Sequence, residues 1–130
     1  MMGSLRGSRI LIVEDEALIA WTLADALEEV GAEPLGPAST AAAALDLIGR
    51  ETPDAAILDG DLADGRSTPV ALALAARGVP FVFHTASVRP EALEHLGPVI
   101  PKPAPANRVL ERLAAAMTAR SAADTGLAVA

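Results

Sequence analysis

The chain reads as an α/β domain of (βα)5 type, a doubly wound sheet of five parallel strands, and three observations lead there. Short apolar runs rich in β-branched or aromatic residues recur along it: Ile10–Val13, Ala55–Leu58, Phe81–Phe83 and Val99–Ile100. Segments with the apolar period of a helix separate these runs, as parallel crossovers require. The runs lead into Glu14-Asp15, Asp59, His84-Thr85 and, past Pro101, Lys102. In a parallel sheet the C-terminal strand ends share one edge, where ligands bind at the switch in strand order.

Each element has its own justification. Arg9–Val13 is the first strand, with the β-branched density of one buried on both faces. Helix 1 is expected over Glu16 to Val30, with Ile19, Leu23, Ala26, Leu27 and Val30 in one stripe and Gly31 ending it. Glu33–Ala38 is the weakest strand, because Pro34 and Pro37 each remove a ladder donor, and so it belongs at a sheet edge. Ser39 or Thr40 caps helix 2, which runs through Leu45 and Ile48. After Pro53 comes the strand Asp54–Leu58, then a polar loop, Gly60–Arg66, whose glycines permit turns.

Ser67 caps helix 3, with Pro69 in its first turn and Gly78 at its end. Val79–His84 is the fourth strand. Pro90–Leu96 is a short helix 4 closed by Gly97, and Val99–Ile100 is a brief fifth strand. Helix 5 is expected from about Pro105 to Thr118, with Val109, Leu110, Leu113 and Met117 facing inward. The predicted division is a flexible lead-in over 1–8, one domain over 9–119, and a disordered tail over 120–130.

Composition narrows the function. With 52% hydrophobic and 21% charged residues the chain is that of a globular protein with a real core. It has no cysteine, which excludes disulfides and thiolate metal sites. A net charge of −7 with scattered basic residues argues against nucleic acid. No apolar stretch has the length of a membrane span or the form of a signal peptide. A cytoplasmic location is expected, with any output leaving through the domain's own surface.

The strand-end residues suit phosphoryl chemistry. An aspartate carboxylate that attacks phosphorus becomes an acyl phosphate, and Asp59 stands where a buried strand opens into a turn-rich loop. An anion attacking an anionic donor needs positive charge nearby. Mg²⁺ takes one or two protein carboxylates plus water and phosphate, and Glu14 and Asp15 offer that pair; Mn²⁺ would substitute. Lys102 is a fixed cation and Thr85 a hydroxyl donor for the phosphoryl oxygens.

The five residues Glu14, Asp15, Asp59, Thr85 and Lys102, in this order, resemble the pattern of the response-regulator receiver domains of bacterial two-component systems, here in single-domain form. The matching segments are Ile10 through Glu16, Ile57-Leu58-Asp59, His84-Thr85-Ala86 and Lys102-Pro103. The resemblance covers about Arg9 to Met117, and Asp59 follows Asp15 at the family's usual interval. It implies the flavodoxin-like strand order 2-1-3-4-5 and a phosphoacceptor role for Asp59. It also implies Glu14, Asp15 and Asp59 as metal carboxylates and the backbone carbonyl of Asp61 as a further metal ligand. Thr85 would be the switch hydroxyl and Lys102 the phosphate-contacting lysine. The implied phosphodonor is a sensor histidine kinase or a histidine phosphotransfer protein, and the output is binding to a downstream protein. The docking surface would be helix 4, strand 5 and helix 5, with Arg89, Glu91, Glu94, Val99, Arg108 and Arg112 as candidates. A monomer, or a weak dimer through that surface, is expected.

Three features depart from the family pattern. Val99 stands where an aromatic residue usually reports the threonine's position, and Ala104 replaces a bulky apolar residue after the lysine-proline pair. The interval from Thr85 to Lys102 is short. Transmission is therefore expected through the Thr85–Arg89 loop and helix 4. Asp61 adds a carboxylate beside Asp59 that would either strengthen metal binding or repel phosphate.

Other readings compete. Glu14-Asp15-Glu16 are also acids favoured near a helix N-terminus, and Asp59-Gly60 is also a turn dipeptide. Leu58-Asp59-Gly60-Asp61 is similar to the opening motif of haloacid-dehalogenase-type phosphatases. Those enzymes place their second acidic pair after the lysine, whereas Glu14-Asp15 precedes it. A receiver fold serving only as an interaction module, never phosphorylated, is the other alternative. His84 is expected to point away from Thr85, into helix packing or the rim, and His95 to lie in solvent. Trp21 fits a core edge or an exposed partner anchor equally.

Overall fold

Residues 2–87 and 91–124 are described by the structure, a computed structural model. Its main sheet is built from strands that alternate their side chains between two cores. In β1 (Arg9–Val13), Ile10 and Ile12 pack on one face while Leu11 and Val13 pack on the other. β3 (Ala55–Leu58) repeats this, with Ala55 and Ile57 on the first face and Ala56 and Leu58 on the second. Burying a Leu or Ile fully contributes about 1.5–3 kcal/mol, so both faces have to be covered by helices.

α1 (Ala17–Glu29) and α5 (Ala106–Asp124) cover the first face with Leu23, Leu27, Val109, Leu110 and Leu113. α2 (Ala41–Arg50), α3 (Thr68–Ala76) and α4 (Glu91–Glu94) cover the second with Ala44, Ile48, Val70, Leu74 and Leu93. β2 (Glu33–Ala38), β6 (Phe81–Thr85) and β7 (Val99–Pro101) complete the main sheet. Two further strands, β4 (Asp61–Leu62) and β5 (Gly65–Arg66), pair as a separate antiparallel hairpin.

The main sheet has the order β2-β1-β3-β6-β7, all parallel. Without the hairpin strands this is the expected order 2-1-3-4-5. β2, with its two prolines, pairs only with β1, at the edge. Gly31 ends α1 at φ +84°, a left-handed conformation open to glycine, while the Ala32 N–H donates to the Leu27 carbonyl.

The structure differs from the sequence reading in several places. The loop after Asp59 holds the small hairpin. The N-terminal residues, expected as a flexible lead-in, include a 3-10 helix over Met2–Leu5 with Leu5 fully buried against the α1/α5 core. α5 continues to Asp124, beyond the expected end at Thr118 and into the segment expected as a tail. Ala and Arg in that stretch favour helix and nothing in it breaks one. α4 ends at Glu94, before the expected Leu96, while its expected first residue, Pro90, lies outside the described residues; the fourth strand begins at Phe81 and includes Thr85. Ser67 precedes α3 as predicted, yet its buried hydroxyl makes no capping bond. Trp21 is 72% exposed, as is Leu18 one turn away, so the core-edge reading of the tryptophan is excluded.

Candidate functional site

The C-terminal ends of β1, β3, β6 and β7 bring Glu14, Asp15, Asp59, Thr85 and Lys102 to one edge. The backbone holds these ends in place. Glu14 N–H donates to Ala38 O at 2.9 Å, Asp59 N–H to Val13 O at 2.8 Å, and Lys102 N–H to Thr85 O at 2.9 Å. Glu14, Asp59 and Thr85 are 3%, 6% and 2% exposed, so their charges and dipoles act with little screening. Asp15, at the loop turn, is exposed.

Both oxygens of Asp59 are held. The Thr85 hydroxyl donates to Oδ1 at 3.0 Å, and the Lys102 ammonium lies 3.1 Å from Oδ2. Lys102 also straddles the Glu14 carboxylate, 3.0 Å from Oε1 and 3.2 Å from Oε2, and lies 3.6 Å from Glu16. The Asp61 N–H donates to Asp59 Oδ1 at 3.3 Å, and the Ser87 N–H donates to Thr85 Oγ1 at 3.1 Å. A cavity of about 210 Å³ opens over this cluster, lined among others by Asp15, Asp59, Asp61, Thr85 and Lys102.

Carboxylate oxygens of Glu14, Asp15 and Asp59 all lie within 4.8 Å of one another. Hard oxygen donors converging beside an open cavity fit a hard divalent cation such as Mg²⁺ or Mn²⁺. The side chain of Asp61 is not in this group. Its carboxylate lies 3.9 Å from Arg66 across the hairpin, so part of its charge is answered there.

Crowding shapes the titration of these groups. Burial, with the Asp59 carboxylate adding to it, pushes Glu14 up to about 7 from an ordinary value of 4.5, against the pull of Lys102. Burial also works against ionised Asp59, but hydrogen bonds shared with Glu14, Lys102 and the Asp61 N–H outweigh it and hold Asp59 below the usual range. Burial lowers Lys102, and its bonds to the two carboxylates more than reverse that.

A raised carboxyl binds its proton more tightly folded than unfolded. Glu14 therefore withdraws stability as pH rises from about 4.5 to 7. The difference in Tm between the metal-free protein and Glu14→Gln is expected to shift in favour of the variant across that interval. A difference independent of pH would mean that Glu14 titrates normally. A divalent cation held by these carboxylates would compete with that proton, and its affinity would rise through pH 7.

Gly60 has a steric reason to be glycine. A Cβ there would lie 2.9 Å from Leu93 Cδ1 and 3.0 Å from the Thr85 hydroxyl that holds Asp59. Gly60→Ala is expected to cost about 1–3 kcal/mol in denaturant unfolding. Unchanged stability would show that the loop yields without moving Thr85.

The other sequence candidates divide. Glu91, Glu94, Arg108 and Arg112 are exposed, Val99 is half-buried against the α2/α3 face, and Arg89 lies outside the described residues. His84 is buried on the strand beside Thr85, with no hydrogen-bond partner for either ring nitrogen among the described residues. Burial, aided by the Lys102 charge, lowers its pKa and keeps it neutral. Sequence reasoning missed the Ser87 N–H and the link from Lys102 to Glu16. The acidic run 14–16 was a signal for the second, whereas a backbone donor leaves no sequence signal.

No family model and no curated protein matches the chain. Solved structures do. The chain is 45% identical to SdrG from Sphingomonas melonis Fr1 over 86% of its own length and 97% of SdrG, with a TM-score of 0.72. It is 30% identical to the receiver (REC) domain of the PhyR response regulator from Erythrobacter litoralis, over 89% of this chain and 94% of that one, with a TM-score of 0.76. Against the response regulator PhyR from Brucella abortus the identity is 30% and the TM-score 0.82; 98% of this chain matches, but it spans only 55% of that PhyR. With these likenesses extending over almost the whole of two receiver-sized chains, and with five strand-end residues gathered as the sequence ordered them, the chain belongs to the response-regulator receiver family.

Proposed function

We propose that this domain is a phosphoacceptor in two-component signalling, phosphorylated on Asp59 in a reaction that depends on Mg²⁺. The observation that carries this reading is the grip on Asp59, with Thr85 on one carboxylate oxygen and Lys102 on the other beside two further carboxylates. A purely structural ion pair has no need of a hydroxyl, an ammonium and a three-carboxylate cluster on one aspartate.

The chemistry follows from the residues. A carboxylate oxygen of Asp59 forms a bond to phosphorus while the bond from phosphorus to the donor atom breaks, and the donor leaves with that electron pair. Lys102 and Thr85 line the cavity beside Asp59, where an ammonium and a hydroxyl can donate to the phosphoryl oxygens of a bound donor; stabilising charge there is the larger part of phosphoryl-transfer catalysis. Glu14, Asp15 and Asp59, with the Asp61 backbone carbonyl, would hold the Mg²⁺, which would supply neutralising charge for an anion attacking an anionic donor. After transfer Lys102 is free to pair with the phosphoryl group, and the Thr85 hydroxyl has a new acceptor. Thr85 is tied to the Ser87 N–H, so a shift of Thr85 pulls directly on the segment leading to α4. With Val99 in place of an aromatic, that segment is the proposed transmission route.

The proposed phosphodonor is a histidine kinase or phosphotransfer protein, and the proposed output is binding of a further protein over α4, β7 and α5. No helix among the described residues is long and apolar enough to cross a membrane. The test is intact mass after incubation with acetyl phosphate and Mg²⁺. One added phosphoryl group is expected, and none with EDTA. No adduct at any Mg²⁺ concentration, together with no beryllofluoride binding, would leave an unphosphorylated interaction module.

A further inference from the structure

The two acidic loops of the site are anchored to the same short stretch of backbone, the junction between β2 and α2. Glu14 N–H donates to Ala38 O at 2.9 Å, which fixes the Glu14-Asp15 loop. Ala63 N–H donates to Ser39 O at 3.2 Å, which fixes the hairpin after Asp59. The hairpin is held a second time. Both oxygens of the Asp64 carboxylate accept from the first turn of α2, Oδ1 from the Ala41 N–H at 2.7 Å and Oδ2 from the Ala42 N–H at 3.2 Å. The helix's own cap, Thr40, takes only the next amide, Ala43, at 3.0 Å. Capping of α2 is thus divided between a local residue and one from a distant loop.

This division has a consequence for the site. The free N–H groups of a helix start, and the positive end of its dipole, hold a carboxylate well. Asp64 uses that grip on behalf of its own loop, between Asp61, which donates its N–H to Asp59, and Ser67, whose N–H donates to Gly60 O at 3.0 Å. We propose that Asp64 is a positioning residue: by stapling the 61–66 hairpin to α2 it sets the distance between the Asp59-Asp61 loop and the Glu14-Asp15 pair, and so the affinity of the site for Mg²⁺. The inference rests on the Mg²⁺-dependent reading of the site. Asp64 touches neither the metal nor the phosphoryl group; it acts through the loop.

The experiment compares Asp64→Ala, Asp64→Asn and Thr40→Ala with wild type in the full chain. Each is read by calorimetric titration with Mg²⁺ alone, without a phosphodonor, by the Mg²⁺ concentration that half-saturates phosphorylation by acetyl phosphate, and by the maximal rate at saturating Mg²⁺. Thr40→Ala removes a cap from the same helix without touching the hairpin, so it controls for simple loss of α2 stability. Asp64→Ala is expected to raise the half-saturating Mg²⁺ about tenfold, the scale on which groups orienting metal ligands act, with a maximal rate near wild type. Asp64→Asn, which keeps an acceptor oxygen, should recover part of this, and Thr40→Ala should not shift it. Equal half-saturation in Asp64→Ala and Thr40→Ala, whether both shifted or both unshifted, would overturn the positioning role. A wild type that shows no Mg²⁺ dependence at all would instead overturn the reading of the site, and the inference with it.

Discussion

Asp59→Asn is expected to abolish phosphorylation completely, because the amide has no oxygen nucleophilic enough to displace a phosphodonor. The substitution is nearly isosteric, so the fold should survive. The amide oxygen still accepts from the Thr85 hydroxyl, which lies 3.0 Å from Oδ1, and Glu14 retains Lys102 at 3.0 Å. What is lost is the Lys102 contact to Oδ2; what is gained is relief of repulsion between two buried carboxylates. These offset, and a stability change within about 1 kcal/mol is expected. A second signature follows from the same contacts. Asp59 helps to raise Glu14, so the variant's Glu14 should titrate closer to its ordinary value, readable from carboxyl NMR shifts. Intact mass tests the first effect directly. A single phosphoryl group still added to the variant would remove Asp59 from its role.

Lys102→Ala should produce the largest combined loss of rate and stability. Its side chain is 9% exposed and is shared by two nearly sealed carboxylates, so its removal leaves charges buried without their counterion. Breaking such a group from one side costs about 3–5 kcal/mol. At neutral pH Glu14 softens that cost by taking a proton, since it already titrates near 7 and loses its main ionising partner. Mg²⁺ should restore part of the stability, because Glu14 and Asp59, which lose the ammonium, are two of the three carboxylates proposed to hold it. The phosphorylation rate is a separate matter. Loss of one fixed group stabilising transition-state charge typically costs about a hundredfold or more, and extra Mg²⁺ cannot replace an ammonium at that position. Unfolding curves with and without Mg²⁺, beside single-turnover phosphorylation, separate the two effects. A wild-type rate in Lys102→Ala would exclude the lysine from transfer.

Much of the site was legible because its residues stand at strand ends, and strand ends are marked by local pattern. Ile10–Val13 running into Glu14-Asp15, or Ala55–Leu58 into Asp59, is a change of character that needs no distant information. The prolines of β2 likewise announced an edge strand, which is where it lies. The hairpin at 61–66, the burial of Leu5 and the exposure of Trp21 were not legible. Each depends on what another part of the chain brings up against it, and no periodicity records that.

The sequence by itself determined the alternation of strands and helices, hence a parallel sheet, and hence the edge at which three carboxylates, a hydroxyl and an ammonium gather. Only the tertiary structure decided which oxygens meet which donors: that Lys102 is shared by Glu14 and Asp59, that Asp61 turns to Arg66, and that Asp64 grips α2. The reason is the range of the forces involved. Strand and helix patterns repeat every two or 3.6 residues and are written within a few neighbours. The charge state of Glu14 and the anchoring of the acidic loops depend on distances between residues remote in sequence, and those exist only once both cores have closed around the sheet.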